Sequence, residues 1–215
     1  MNTILFPTHN PTVYLNVRPD RKDDLEVVRE IWCEDVYHIA DRMHDVKVVV
    51  DLGANIGVFT TYCLTYAPEC RVIAIEPEPN NIELLDSNIA RTDPSRVEVH
   101  KVAISDYDGY STIEDGAGSS VLGTAGAKVL VTTIDSVLVN VEGDIDIFKA
   151  DIEGSEVDVI MNMSLELQAR IKFFAIEYDH DSEGFGAVVE KLSETHQVRT
   201  LGAASRGAMI YAERY

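Results

Sequence analysis

A glycine-rich turn follows an apolar run in the first third of the chain and carries polar side chains that could hold a cofactor. The run, residues 46–52, contains Asp51 and leads into Gly53, Asn55 and Gly57 before an amphipathic segment. Such glycines let the backbone turn sharply and approach a ligand closely, as in the nucleotide-binding turn of parallel α/β sheets. The spacing G-x-N-x-G lacks the third glycine of the dinucleotide fingerprint. Because a carboxylate suits an ammonium or sulfonium group better than a diphosphate, this turn predicts a nucleotide cofactor without phosphates.

Further polar residues follow the next two apolar runs. Glu76 lies 25 positions after Asp51, where an acid commonly accepts hydrogen bonds from both ribose hydroxyls. Pro77 then turns the chain out of the strand. Ser105 and Asp106 follow the third run, and we expect them beside the adenine base. The alternative interpretation of Glu76 is an exposed glutamate before a turn.

A second cluster of ionisable residues stands where a later strand leads into a helix. Alternation along a strand places Lys149, Asp151 and Glu153 on one side. Such crowding shifts proton affinities and is typical of an acid–base site. A helix cap formed by Asp151 or Glu153 is the structural alternative, but it leaves the lysine unexplained.

A third cluster ends the following strand, with Glu177, Asp179 and His180 in sequence. His180 is a candidate general base because its ordinary pKa lies near neutrality, although a solvated histidine fits the same position. Asp151, Glu177 and Asp179 could instead gather a magnesium ion through oxygen ligands. We do not favour that arrangement and predict no metal site.

The order of apolar runs predicts the elements that position these residues. Short β-branched runs alternate with amphipathic segments, which is typical of a doubly wound, mostly parallel sheet. The last two runs, 197–202 and 208–213, leave no room for a crossover helix and predict an antiparallel hairpin at one edge. The expected architecture is therefore an α/β fold with a seven-stranded sheet.

Two segments lie outside this alternation. An apolar stripe at helical spacing predicts a helix over residues 24–41, within an N-terminal helical extension spanning 1–45. Residues 106–137 hold a turn dipeptide, a glycine-rich run and the β-branched segment KVLVTTIDSVL, which we interpret as extended. They predict an inserted hairpin or lid near the active face, or else a mobile surface loop.

Composition limits the partners and the location. The chain has 215 residues and a formal charge of −19, which repels nucleic acid and anionic lipid. It holds no apolar run long enough to span a membrane and no secretory signal pattern. We therefore expect one domain over residues 1–215, located in the cytoplasm, with three reduced cysteines and no zinc site. The sequence does not indicate an oligomeric state.

Several of these motifs together resemble the FkbM family of S-adenosylmethionine-dependent methyltransferases, which have a Rossmann-like class I fold. The matching segments include VVVDLGANIGVFT, IAIEPEPNNIELL, FKADIEGSE and AIEYDH. The resemblance implies that the first turn lines the methionine part of the cofactor, that Glu76 holds its ribose, and that Ser105 and Asp106 approach its adenine. It also implies that Asp151 lies beside the methyl group, with Lys149, Glu153 and Glu177 completing the catalytic edge.

This family implies a reaction as well as a cofactor. The expected activity is methylation of a hydroxyl on a sugar, polyketide or related small metabolite, with Asp151 and His180 as candidate bases. A non-catalytic module that only binds S-adenosylmethionine is one alternative. A nicotinamide-dependent oxidoreductase is another, disfavoured by the missing third glycine.

Overall fold

The computed structural model describes residues 2–6, 13–115, 120–123, 126–178, 182–202 and 207–215. Within these ranges the strands are β1 (Asn2–Phe6), β2 (Val13–Val17), β3 (Val48–Leu52), β4 (Arg71–Ile75), β5 (Val97–His100), β6 (Ala103–Ile104), β7 (Gly109–Asp115), β8 (Ser120–Gly123), β9 (Ala127–Thr132), β10 (Ile147–Ala150), β11 (Phe173–Tyr178), β12 (His196–Gly202) and β13 (Ala208–Arg214). The α-helices are α1 (Lys22–Arg29), α2 (Val58–Tyr66), α3 (Pro79–Ile89), α4 (Ile134–Leu138), α5 (Glu156–Asn162), α6 (Leu165–Arg170) and α7 (Ser182–Ser193).

Seven strands form the central sheet, in the order β12-β13-β11-β10-β3-β4-β5. Its pairings are parallel from β11 to β5, whereas β13 is antiparallel to both β11 and β12. The predicted seven-stranded, mostly parallel α/β fold with an antiparallel C-terminal hairpin is thus confirmed. The chain runs outward from β3 in one direction through β4 and β5, and in the other through β10 and β11. The carboxyl ends of β3 and β10 therefore flank the switch point, where such sheets bind ligands.

Apolar side chains cover both faces of the sheet. On β3, Val49 packs into one buried cluster while Val50 and Leu52 pack into the other. Because successive side chains of a strand point to opposite faces, a strand buried on both faces needs a continuous apolar run. The polar residue within this run, Asp51, is consequently fully buried.

The N-terminal segment differs from the helix expected over residues 24–41. Helix α1 continues only as a π-helical turn over Glu30–Glu34, and Asp35 then adopts a positive φ of 48°. The Asp35 carboxylate accepts a hydrogen bond from the backbone N–H of Ile39 at 2.9 Å, which stabilises the turn that ends the helix. A 3₁₀ segment, Ala40–Asp45, follows.

The description of residues 1–45 as helical was also incomplete, because β1 and β2 pair antiparallel before α1. Strand β2 is held to helix α3 through the backbone N–H of Asn16, which donates to Asn88 Oδ1 at 2.7 Å. This contact joins residues far apart in the chain, so no local sequence pattern predicts it. The single-domain organisation over residues 1–215 stays a prediction.

The inserted segment forms a second sheet with the order β6-β9-β7-β8. The expected hairpin is present, since β7 pairs antiparallel with β8 and with β9. The interpretation of KVLVTTIDSVL as wholly extended was wrong, because Thr133 caps helix α4 by accepting a hydrogen bond from the Ser136 N–H at 3.2 Å. The glycine-rich tip at 116–119 and residues 124–125 lie outside the described residues. No helix of the described ranges is both long and apolar enough to cross a membrane.

Candidate active site

A cleft lies at the carboxyl ends of β3, β4 and β10. One wall is the inserted sheet and another is the start of the chain around α1. The residues that line it are Val27, Glu30, Leu52, Gly53, Asn55, Ile75, Glu76, Pro77, Asn81, Val102, Ala103, Ile104, Ile113, Asp151, Ile152, Glu153, Ser155 and Glu177. The lining from described residues contains five carboxylates and no lysine, arginine or histidine, so this cleft suits a cation better than an anion.

Glycine is required at the base of the cleft because two loops touch there. Gly53 has φ +79°, and a Cβ on it would lie 1.8 Å from the backbone oxygen of Asp151. The N–H groups of Gly53 and Ala54 both donate to the Ile75 carbonyl at 3.0 Å. The loop after β3 is therefore fixed against both neighbouring strand ends.

Asn55 and Glu76 join this loop to the end of β4. Asn55 has a positive φ of 49°, and its N–H donates to Glu76 Oε2 at 2.8 Å. Glu76 Oε1 accepts from the N–H of Glu78 at 2.9 Å and from Asn81 Nδ2 at 3.3 Å. Burial raises the pKa of Glu76, which is only 4 % exposed. Asn55 Oδ1 is buried without a hydrogen-bond partner among the described residues, so the cleft offers an acceptor that a ligand could satisfy.

Beneath the loop lies a buried ion pair between paired positions of β3 and β10. Lys149 Nζ is 3.4 Å from Asp51 Oδ1 and 3.6 Å from Asp151 Oδ2, and it donates to the Gly53 carbonyl at 2.6 Å. The Thr60 hydroxyl donates to Asp51 Oδ2 at 2.7 Å. Burial lowers the pKa of Lys149, but Asp51 and Asp151 outweigh that effect and the net pKa is raised. Lys149 is therefore a permanent cation that supports the loop from behind.

Tyr37 contacts two carboxylates of the cleft, although no sequence pattern pointed to it. Its hydroxyl lies 3.0 Å from Asp151 Oδ2 and 3.3 Å from Glu177 Oε2, so one phenolic proton serves two carboxylates. Burial, followed by the nearby Asp151 and Glu177 charges, raises the pKa of Tyr37 well above its ordinary value. The hydroxyl thus stays protonated and acts as a donor. The contact spans more than a hundred positions of the chain and depends on tertiary packing.

Glu156 shapes the loop that carries Asp151 and Glu153. Its buried carboxylate accepts hydrogen bonds from the N–H groups of Ile152 and Gly154, both at 3.0 Å. Glu153 has a positive φ of 53° within this turn. The sequence signal for this role of Glu156 is its position in the first turn of the helix. Acidic side chains there commonly accept hydrogen bonds from the N–H groups of the preceding loop.

The structure places only some of the site residues predicted from the sequence in the lining of the cleft. Gly53, Asn55, Glu76, Pro77, Asp151, Glu153 and Glu177 line the cleft, whereas Asp51, Gly57, Lys149, Ser105 and Asp106 do not. Ser105 is buried, and its hydroxyl donates to Asp106 Oδ1 at 3.3 Å. Ala103, Ile104 and Ile113 form the wall there instead.

The third cluster is described only in part. His180 and Asp179 lie outside the described residues, so the structure does not place the expected histidine base. Among the residues that are described, no three His, Cys, Asp or Glu side chains are grouped so that they could hold a metal ion.

The fold resembles that of methyltransferases of known structure. One is TrmK of M. capricolum, solved with S-adenosyl-homocysteine, which superposes with a TM-score of 0.53 at 8% identity and covers 84% of this chain and 67% of that one. The fold is therefore Rossmann-like, as in that protein. Residues 51–204 match the model of the methyltransferase FkbM domain, and the chain belongs to that family.

Three curated relatives are identical to this chain at 27–28% of the aligned positions. Methyltransferase 1 of Beauveria bassiana is 27% identical over 87% of this chain and 86% of its own length. The hexuronic acid methyltransferase AglP of Haloferax volcanii is 27% identical over 71% of this chain and 68% of its length. The AMB antimetabolite synthetase AmbE of Pseudomonas aeruginosa is 28% identical over 74% of this chain, which spans only 10% of that protein.

Proposed function

We propose that this protein transfers a methyl group from S-adenosylmethionine to a hydroxyl oxygen of a small metabolite such as a sugar or polyketide. The observation that carries the proposal is one cleft lined by Glu76, the Gly53 loop and Asp151, whose carboxylate accepts a hydrogen bond from Tyr37. AglP is named for hexuronic acid, which supports a carbohydrate ring as acceptor, while the acid group is a property of that relative's substrate. A cytoplasmic location stays a prediction.

The lining of the cleft fits an adenosyl sulfonium. Glu76 is the residue to accept a ribose hydroxyl, since its Oε2 accepts one hydrogen bond from the Asn55 N–H and keeps acceptor capacity. Ala103, Ile104 and Ile113 offer an apolar wall for the adenine, in place of the expected Ser105 and Asp106. The five carboxylates of the described lining disfavour a diphosphate, and with it a nicotinamide dinucleotide. Asp51 acts indirectly, through Lys149 and the Gly53 loop.

The residues around Asp151 would then control one proton. S-adenosylmethionine supplies, when bound, a methyl carbon made electrophilic by its attached sulfonium. Asp151 would take the proton of the acceptor hydroxyl, whose oxygen would receive the methyl group that the cofactor supplies. Tyr37 and Lys149 orient that carboxylate, and alignment of the two reactants supplies much of the rate.

Ligand-dependent unfolding tests the cofactor assignment. S-adenosylhomocysteine at a hundred times its Kd should stabilise the native protein by about 2.7 kcal/mol and raise its Tm, whereas NAD should not. The variant Glu76→Gln should bind it more weakly, while Glu69→Gln, at an exposed position, should match the unaltered protein. Stabilisation by NAD alone would favour an oxidoreductase. Binding without methyl transfer to any hydroxyl acceptor would favour a non-catalytic module.

A Tyr37→Phe variant tests the orienting hydrogen bond. We expect turnover to fall about tenfold, because a hydrogen bond to a charged group contributes roughly 1.5–3 kcal/mol and Asp151 and Glu177 would lose their shared donor. Steady-state methyl transfer at saturating cofactor measures the effect. Tyr66→Phe is the matched control, since Tyr66 is 43% exposed and does not line the cleft. Equal turnover in the two variants would contradict the role of Tyr37.

A further inference from the structure

A second cavity adjoins the cofactor cleft on the side of the C-terminal hairpin. Its lining includes Glu30, Val36, Glu177, Leu201 and Met209. Glu30 and Glu177 also line the cleft that holds Asp151. The two cavities therefore meet at these two carboxylates, and a molecule in the second would reach the proposed methyl-transfer edge past them.

Glu30 is brought to this junction by the π-helical turn that interrupts the N-terminal helix. The turn spans Glu30–Glu34, and the Glu30 carbonyl accepts a hydrogen bond from the Val36 N–H at 3.2 Å. π-helical turns are rare and occur frequently at functional sites. Glu30 is half-buried and lines both cavities, and burial followed by the charge of Asp151 raises the pKa of its carboxyl group.

The remaining lining determines what kind of molecule fits. Val36, Leu201 and Met209 present apolar surface, whereas Glu30 presents a hydrogen-bond acceptor. If the methyl-accepting molecule carried a carboxylate near Glu30, the two negative charges would repel each other at short range. A neutral molecule with one apolar face and adjacent hydroxyl groups satisfies both parts of the lining.

We propose that this second cavity binds the body of the methyl acceptor and that the acceptor is a neutral vicinal diol. Glu30 is then a specificity-determining residue, which accepts a hydrogen bond from the hydroxyl next to the reacting one. The inference rests on the proposed methyl transfer and adds to it the site and the chemical class of the acceptor. The reacting hydroxyl would then face Asp151 while its neighbour is held at Glu30.

An acceptor panel tests this assignment. Methyl transfer from labelled S-adenosylmethionine would be measured with neutral methyl glycosides, with reduced polyketide diols and with the uronic acids that match the glycosides. We expect methylation of neutral diols and at least tenfold lower kcat/KM for the matching uronic acids. The glycoside and polyketide arms distinguish the two sources of the same diol chemistry.

The variant Glu30→Gln isolates the proposed contact. We expect the KM for the acceptor to rise about tenfold to a hundredfold, the range for losing a hydrogen bond to a charged group, with the Kd of S-adenosylhomocysteine unchanged within about threefold. Glu26→Gln, on the exposed side of the same helix, should leave both values unchanged. An unchanged acceptor KM in Glu30→Gln, or a preference for uronic acids, would overturn the proposal.

Calorimetry with S-adenosylhomocysteine keeps this test separate from that of the proposed function. If the product nucleoside does not bind the unaltered protein, the methyltransferase assignment itself fails. If it binds and no neutral diol of the panel is methylated, the cofactor site stands and the acceptor assignment is overturned.

Discussion

Replacing Asp151 with asparagine should lower turnover by about a hundredfold to ten-thousandfold, the usual contribution of a positioned general base. Asparagine keeps the size of the side chain and can still accept a hydrogen bond from Tyr37, but it cannot take up a proton. The Kd of S-adenosylhomocysteine should stay within about threefold, because the groups expected to hold the nucleoside lie at Glu76 and the Gly53 loop. Single-turnover methyl transfer and calorimetry measure the two quantities.

The control for this variant is Asp158→Asn, an exposed position in the helix that follows the same loop. It removes the same charge from the same region without touching the cleft, so both quantities should match those of the unaltered protein. Equal losses of turnover and cofactor affinity in Asp151→Asn would show that Asp151 binds the cofactor and does not act as the base.

The neighbours of Asp151 are poorly suited to replace it as a base. The raised pKa of Lys149 keeps its amine protonated, and the raised pKa of Tyr37 keeps its phenol protonated. The Tyr37 hydroxyl donates a hydrogen bond to Asp151, and Lys149 places a positive charge beside it. Asp51 is fully buried and does not line the cleft. Asp151 combines access to the cleft with contacts to both of these oriented groups.

Local chemistry explains the parts of the site that the sequence predicts. Gly53 and Gly57 both adopt positive φ, which glycine tolerates and most residues do not, so their spacing marks the turn. The strands around that turn follow from apolar runs whose length and composition reflect burial on both faces. Asn55 was expected at the cleft because it lies in that turn, and Glu76 because it directly follows the next strand.

The apolar runs of the sequence predict the strands but do not show which residues of neighbouring strands pair with each other. Asp51 was expected to contact the cofactor because it stands near a strand end, but it pairs in register with Lys149 on β10. Tyr37 and Glu30 come from the N-terminal segment, where the expected long helix stops early and its remaining residues fold against the edge of the sheet. Their contacts join distant parts of the chain, and a single sequence gives no local signal for them.

The variant Lys149→Met should destabilise the protein by about 3–5 kcal/mol, because removing one partner of a buried ion pair leaves the other as an uncompensated buried charge. Asp51 is fully buried and would keep only the Thr60 hydroxyl as a side-chain donor. Since the pKa of Lys149 is raised, its contribution is present below the ordinary lysine pKa of about 10.4 and is lost as pH rises through the higher folded value. The loss should therefore be similar at pH 6 and pH 9.

Urea unfolding measures this loss against a matched exposed pair. Lys101 forms an ion pair with Asp86 at 3.1 Å, and the two side chains are 56% and 48% exposed, so Lys101→Met should cost at most about 1 kcal/mol. Adding Asp51→Asn to Lys149→Met should recover part of the stability, because the unpaired charge is then removed. If the two single lysine variants unfold at the same urea concentration, Lys149 is not the counter-ion that holds Asp51 beneath the cofactor loop.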